Sequence, residues 1–395
     1  MSDEARVPTW GSKTLVLVVS LAACLSVLEN AARWLERHRA RTPACPPLTL
    51  ALVEANPTGS YRLKPGLDLI ASVGGRRIPI RTNSHGMRWR EVGLEKRAGV
   101  KRIAFLGDSF TFGCWSDTVE QSFVAVFESR IDRGRFEALN FGVGGYGLDD
   151  MELLLREQAL LFAPDYVIVM FFDGNDFRDT YFGVNKYRIV DGAAHLNPDV
   201  VKQRIPEYTD ESHPFVLAPT ADPSAVRRWL RHWATVRLLF PALSRDNPWL
   251  AFRPSHYFTS FSYWSQFPYS ERAAEARQVS LATLDRMRAF CAERGVRLLV
   301  AALPAREQVY SSSESGAYFD IGLPQAFVAA FAADKGIPFL DLLPVLRRHA
   351  LDNGSQLYVP GDIHLNGLGH RLVGEALQRW FEHVDGEQEA TLAHR

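Results

Sequence analysis

Net charge is the first thing this sequence lacks: 45 Lys and Arg residues stand against 45 Asp and Glu residues. A protein that grips a phosphate backbone gains from a basic excess, so no nucleic-acid partner is expected. Paired cysteines are lacking too. Cys24, Cys45, Cys114 and Cys291 are widely separated with no CxxC pair, so neither a zinc ribbon nor a disulfide framework can be read from them, and the redox compartment stays open. The eleven histidines include no HxH or HxxxH spacing, and no metal is expected. What is present is a globular composition, 47% hydrophobic and 23% charged over 395 residues, enough for one large domain or two smaller ones and too apolar for a disordered chain.

Thr14 to Leu28 (TLVLVVSLAACLSVL) is an uncharged apolar run, preceded by Lys13 and followed by Glu29, Arg33, Arg37, Arg39 and Arg41. As a helix it reaches about 22 Å, short of the roughly 30 Å hydrocarbon core unless Ala31 and Ala32 extend it. We expect residues 1–41 to form a membrane anchor or signal segment. Two alternatives stand beside a signal anchor. Leu21-Ala22-Ala23-Cys24 resembles a bacterial lipoprotein cleavage box, with Cys24 as the lipidated residue, and a buried N-terminal helix of a soluble protein has the same composition. Four arginines follow the segment, which by the positive-inside rule favours a cytoplasmic domain.

Thr42 to Pro47 is a proline-rich break, and the polar stretch to about Val100, with patches such as Arg77-Ile78-Pro79-Ile80, reads as an irregular linker and lead-in over 42–100. From Lys101 apolar runs alternate with helical-period stretches, the pattern of βαβ units. Strands are expected at Arg102–Leu106, Ala138–Phe141, Tyr166–Phe172, Arg297–Leu303 and Pro338–Leu340. Amphipathic helices are expected near Phe123–Ile131, Asp149–Phe162, Arg272–Glu293, Gln325–Lys335 and Leu368–Val384. This is an α/β pattern, a flavodoxin-like doubly wound three-layer sandwich on a parallel five-stranded sheet, spanning 101–395 with its active site at the carboxyl ends of the strands. An aromatic-rich insertion interrupts it at about 180–270. Its second half holds Trp249, Phe252, Tyr257, Phe258, Phe261, Tyr263, Trp264, Phe267 and Tyr269, a density that suits a subdomain core, a cleft lid or a membrane contact, in that order.

The first strand runs directly into Gly107-Asp108-Ser109-Phe110-Thr111-Phe112-Gly113, which places the Ser109 hydroxyl at the mouth of the sheet beside a helix start. Near the C-terminus, Gly361-Asp362-Ile363-His364-Leu365-Asn366 sets an aspartate two residues before a histidine. Asp362 is then able to hold Nδ1–H while Nε2 faces a nucleophile, although a helix N-cap beside an incidental histidine is the blander use. Asn140-Phe141-Gly142-Val143-Gly144-Gly145-Tyr146-Gly147 offers backbone N–H groups, and Phe172-Asp173-Gly174-Asn175-Asp176 offers a side-chain amide, both suited to an oxyanion. The same glycine stretch is a literal GxGxxG. No acid ends the next strand about 20 residues later, however, where a dinucleotide ribose would need one.

GDSFTFG, NFGVGGYG, GND and DIH, in this order, resemble the four blocks of the SGNH (GDSL-type) hydrolase superfamily, over about Lys101 to Val384. The resemblance implies Ser109 as nucleophile and His364 as base, with an oxyanion hole made by the Ser109 N–H, the Gly145 N–H and the Asn175 side chain. Many members carry the acid three residues before the histidine, where this chain has Gly361. Asp362 instead resembles the D-x-H arrangement of the alginate O-acetyltransferase branch. Asn83-Ser84-His85-Gly86-Met87-Arg88 and the apolar N-terminus resemble membrane-anchored bacterial members. The expected protein is a serine esterase acting on O-acyl, above all O-acetyl, esters of small molecules or extracellular carbohydrate, with no cofactor and a domain outside the cytoplasm in the periplasm or at the cell surface. An O-acyltransferase modifying a polysaccharide and a non-catalytic binding or assembly protein of the same fold are the alternatives. Oligomeric state is not legible.

Overall fold

The structure is a computed structural model that describes residues 10–38, 52–58, 61–73, 76–114, 116, 118–190, 193–204, 264–265, 270–311, 315–316, 319–360 and 362–393. The helix Trp10–His38 falls in a different compact unit from residues 42–218 and 254–395. Within it, Leu17–Trp34 has a mean hydropathy of 1.3, and Leu17, Val18, Val19, Leu21, Val27 and Leu28 are exposed. It is long and apolar enough to cross a membrane, a test that signal sequences near an N-terminus pass as well. Its 29 residues extend the apolar run on both sides, to roughly 43 Å.

The larger unit is built on one parallel sheet. In chain order its strands are two antiparallel pairs, β1 (Val53–Ala55) with β2 (Tyr61–Leu63) and β3 (Asp68–Val73) with β4 (Arg76–Arg81), and then β5 (Lys101–Gly107), β6 (Phe136–Gly142) and β7 (Tyr166–Phe172). A hairpin of β8 (Tyr187–Val190) and β9 (Ala193–Leu196) follows. After it come β10 (Arg297–Leu303), the short pair β11 (Ser315–Gly316) and β12 (Phe319–Asp320), and β13 (Phe339–Asp341). The five-stranded sheet has the order β13-β10-β7-β5-β6, all parallel, which is the flavodoxin-like order. β6 and β7 are buried at every residue, as a sheet covered on both faces requires. Gly107 pairs with Gly142 at the carboxyl end.

Helices flank this sheet in two groups. Phe123–Arg130 packs with Gly367–Ala393, and Phe381 of the latter sets its ring 5.0 to 5.6 Å from Tyr166, Phe136 and Phe127. Leu148–Glu157, Asp176–Phe182 and Glu271–Ala292 pack together as the other group. The last helix outruns its expected end at Val384 because Asp385 and Glu389 find partners at the sheet: Asp385 lies 2.8 Å from Lys101, and Glu389 lies 2.5 Å from Arg135. The expected helix Asp149–Phe162 instead stops at Glu157 and continues as a 3-10 turn over Ala159–Phe162. Pro164 bars Ala163 from the right-handed helical region, and Ala163 takes φ 48°.

The stretch before the sheet differs from the irregular lead-in expected of it. Its two hairpins bury Leu52, Val53, Tyr61, Leu63, Ala71, Ile78 and Ile80 in the core of the larger unit. Of the aromatic segment 249–269, all but Trp264 and Ser265 lies outside the described residues. Trp264 is buried with its ring 5.5 Å from Phe177, a packing position.

Candidate active site

β5 sits between β6 and β7, so the loops leaving these three strands open side by side at one edge of the sheet. From β5 the chain turns through Asp108 into a single helical turn, Ser109–Phe112. The turn is started by Asp108, whose carboxylate accepts the Phe110 N–H at 2.9 Å, and ended by Gly113 at φ 82°. Asn140, a polar residue inside an otherwise apolar strand, fixes the turn against β6: its amide donates to the Thr111 carbonyl at 2.9 Å, and its carbonyl accepts the Gly142 N–H at 2.9 Å. Gly142 has no room for a side chain there, since a Cβ would stand 2.1 Å from the Phe112 nitrogen.

The C-terminal loop reaches the same place from the far end of the chain. Tyr358 and Leu365 pair as an isolated bridge, the Val359 N–H donates to the His364 carbonyl at 2.9 Å, and the Tyr358 hydroxyl donates to the Pro304 carbonyl at 2.7 Å. The Ser109 hydroxyl thereby lies 2.7 Å from His364 Nε2, while His364 Nδ1 lies 2.5 Å from the Asp362 carboxylate, which also accepts the His364 backbone N–H at 2.9 Å. A carboxylate accepts only, so Nδ1 carries the proton and donates, which leaves the Nε2 lone pair to accept from the serine hydroxyl. Ser109 is 9% exposed and His364 5%. The Phe110 ring stacks beside both the imidazole, at 4.8 Å, and Phe172, at 4.2 Å.

Ser109, Asp362 and His364 are thus joined by hydrogen bonds. Gly361 lies outside the described residues. Gly145 and Asn175 stand past the carboxyl ends of β6 and β7, the two strands that flank β5. Gly145 adopts φ 79°, a left-handed conformation that glycine takes without steric cost. Asn175 begins the helix Asp176–Phe182, half-buried, and its side chain acts on Asp108, partly opposing the rise in that carboxyl's pKa. Burial dominates there and pushes Asp108 up to about 6. Burial also raises Asp176 well above the usual carboxylate range, helped by the charge of Asp108.

Three further residues act near this edge. Arg306 donates to the Asp362 carbonyl at 3.4 Å. Buried Arg88 donates to the carbonyls of Gly113 at 2.6 Å and Ser116 at 3.1 Å, bracing the chain that follows the Ser109 turn. Tyr61 donates its hydroxyl to the Gly144 carbonyl. Only Arg88 had a sequence cue, inside the NSHGMR segment.

A profile of the GDSL-like Lipase/Acylhydrolase family matches residues 105–372. Among solved structures, an acetyl xylan esterase is 14% identical over 70% of this chain and 97% of its own, with a TM-score of 0.37. A two-domain esterase active on acetylated mannans is 14% identical over 73% of this chain and 50% of its own, with a TM-score of 0.39. A catalytic mutant of an acetylxylan esterase from Geobacillus stearothermophilus is 11% identical over 72% of this chain and 96% of its own, with a TM-score of 0.38. Likenesses at this score carry no weight for the substrate. No curated protein matches the chain.

Proposed function

The chain belongs to the GDSL-like Lipase/Acylhydrolase family and is a hydrolase acting on ester bonds, and we propose that it works through an acyl-serine formed on Ser109. The observation that carries this reading is the unbroken chain from the Ser109 hydroxyl through the His364 ring to the Asp362 carboxylate, at 2.7 and 2.5 Å. His364 Nε2 takes the hydroxyl proton as Oγ bonds to the ester carbonyl carbon. The ring becomes an imidazolium that Asp362 stabilises. The carbonyl oxygen gains a negative charge, met by the Ser109 N–H, the Gly145 N–H and the Asn175 amide. His364 returns its proton to the alcohol as the C–O bond breaks. A water then repeats the sequence, with His364 as base, and releases the acid. Trapping Ser109 with a fluorophosphonate tests the reading.

The substrate in this proposal is an O-acyl ester with a short acyl group such as acetyl, borne by a carbohydrate. Two observations support the short acyl group: Ser109 is 9% exposed, and the Phe110 ring packs between His364 and Phe172. The D-x-H spacing of Asp362 and His364, similar to that of a carbohydrate O-acetyl branch, supports the alcohol and keeps transfer to a sugar hydroxyl as the second reading. Trp264 offers no stacking face for such an acceptor, being buried against Phe177.

Residues 1–41 act in this proposal as a membrane anchor, and residues 42–100 join the hydrolase domain of 101–395 on the extracytoplasmic side. Cys114 is disulfide-bonded while Cys24 and Cys291 are free thiols. The fourth cysteine, Cys45, lies outside the described residues. Disulfides persist in oxidising compartments, which supports the outer side against the arginine flank. In protein isolated without reductant and alkylated in denaturant, Cys24 and Cys291 should therefore react at once and Cys114 only after reduction. Alkylation of Cys114 without reduction would return the domain to the cytoplasm.

A further inference from the structure

The four residues Val143–Tyr146 leave β6 as a turn closed by the Tyr146 N–H on the Val143 carbonyl at 3.3 Å, with Gly145 at φ 79°. A positive φ at the third position is the type II form. Type I and type II turns differ by a flip of the central peptide, which here joins Gly144 to Gly145. With glycine at both central positions, side-chain sterics select neither form. Something else must hold the peptide one way round.

The buried Tyr61 of β2 does so. Its hydroxyl donates to the Gly144 carbonyl, and the Tyr146 hydroxyl donates back to the Tyr61 carbonyl, so the hairpin and the turn clasp each other from both sides. The two rings lie edge to face at 5.4 Å, and Tyr187 closes on Tyr61 at 5.8 Å. In a planar trans peptide the C=O and the N–H point in opposite directions. A Gly144 oxygen held toward Tyr61 therefore turns the Gly145 N–H away from the hairpin. Gly145 is buried, and its N–H donates to no acceptor among the described residues, an uncommon state in a buried residue. Burial raises the Tyr61 pKa well above its ordinary value, so the hydroxyl keeps its proton and remains a donor.

We propose that Tyr61 is a positioning residue for ester hydrolysis, holding the Gly144–Gly145 peptide in the one orientation that presents the Gly145 N–H to the developing oxyanion. This rests on the reading of Gly145 as an oxyanion donor. It also makes the hairpin, which lies outside the family match of 105–372, part of the catalytic unit.

The test is Tyr61→Phe in the full chain, with nitrophenyl acetate as substrate and an alkyl boronic acid as the tetrahedral mimic on Ser109. The expected result is a kcat lower by about 10- to 100-fold, less than the loss of a whole donor. KM should stay within about twofold, and boronate affinity should fall in parallel with kcat. A lowered melting temperature with kcat and boronate affinity unchanged would make Tyr61 merely structural and overturn the proposal. If Tyr61→Phe does not fold, Tyr61→Met, which fills the place of the ring without a hydroxyl, carries the test. A loss of kcat at constant KM supports the proposal there, and a wild-type kcat overturns it. Asn175→Ala separates the two levels: a loss of about 10²-fold or more in that variant with none in Tyr61→Phe sinks this proposal alone. No loss in either removes the oxyanion reading beneath it.

Discussion

The parallel sheet and the hairpin segment before it share one core but are held in it differently. β6 and β7 are buried at every residue, and β5 and β10 at all but the first. The hold there is apolar area removed from water, which asks nothing of direction. The segment 52–100 enters the same core on ten apolar residues, from Leu52 to Val92, and is fastened in addition by long polar side chains. Sheet residue Arg102 donates to the carbonyls of Gly93, Leu94 and Glu95 and pairs with Glu137 at 2.7 Å. The Trp89 indole donates to the Ala138 carbonyl at 3.0 Å. The difference assigns the two regions different work. The sheet sets where the reacting groups stand, and the hairpins fix how the loops between them are turned.

If that division holds, damage at the sheet edge should strike chemistry and spare the fold. Asp362→Asn is expected to cut kcat by about 10⁴-fold, because an amide at that position permits the wrong His364 tautomer. The melting temperature should stay near wild type. An equal loss of stability and activity would mean that the loop, rather than the proton path, is what Asp362 maintains.

Damage in the hairpin segment should strike the fold first. Arg88→Leu leaves the carbonyls of Phe112 and Ser116 without their donor inside the core and removes one of the donors to Gly113, a loss of about 4 kcal/mol read by urea denaturation. The guanidinium's own burial, which pulls its pKa down to about 10, offsets part of a larger nominal cost. A change under about 0.5 kcal/mol would erase the contrast between the two regions.

Asp108 sharpens the contrast from the other side, as a polar group the sheet edge buries at some cost. Its folded carboxyl keeps a proton up to about pH 6, while the unfolded one releases it near 3.8. The folded state binds the extra proton in that window, so this contribution to stability is complete below about pH 4 and lost as pH rises through about 6. Asp108→Asn should thus gain up to about 3 kcal/mol over wild type at about pH 8 and nothing near pH 3.5. A gain that is the same at both pH values would assign the effect to packing.

The same division explains what could be read in advance. The limits of β7 and β10 coincide with the expected Tyr166–Phe172 and Arg297–Leu303, because a strand covered on both faces is written as an uninterrupted apolar run. Ser109, Asp362 and His364 each adjoin a motif short enough to recognise, and the fold brings the three into hydrogen-bond contact across 255 residues. β1 to β4 were not legible: they are three to six residues long, and β4 carries Arg76, Arg77 and Arg81 among its apolar positions. Tyr61 and Arg88 act through main-chain carbonyls 83 and 25 residues away. A carbonyl carries no residue identity, so no pattern in the sequence marks it as the partner.

The central claim is that Ser109 is the nucleophile, and covalent trapping tests it most directly. The full chain is treated with a fluorophosphonate, and the adduct is located by peptide mass mapping. The account predicts one adduct per chain, on Ser109, absent in Ser109→Ala and formed at least about 10³-fold more slowly in His364→Ala. An adduct on another serine, or undiminished labelling of Ser109→Ala, would contradict it.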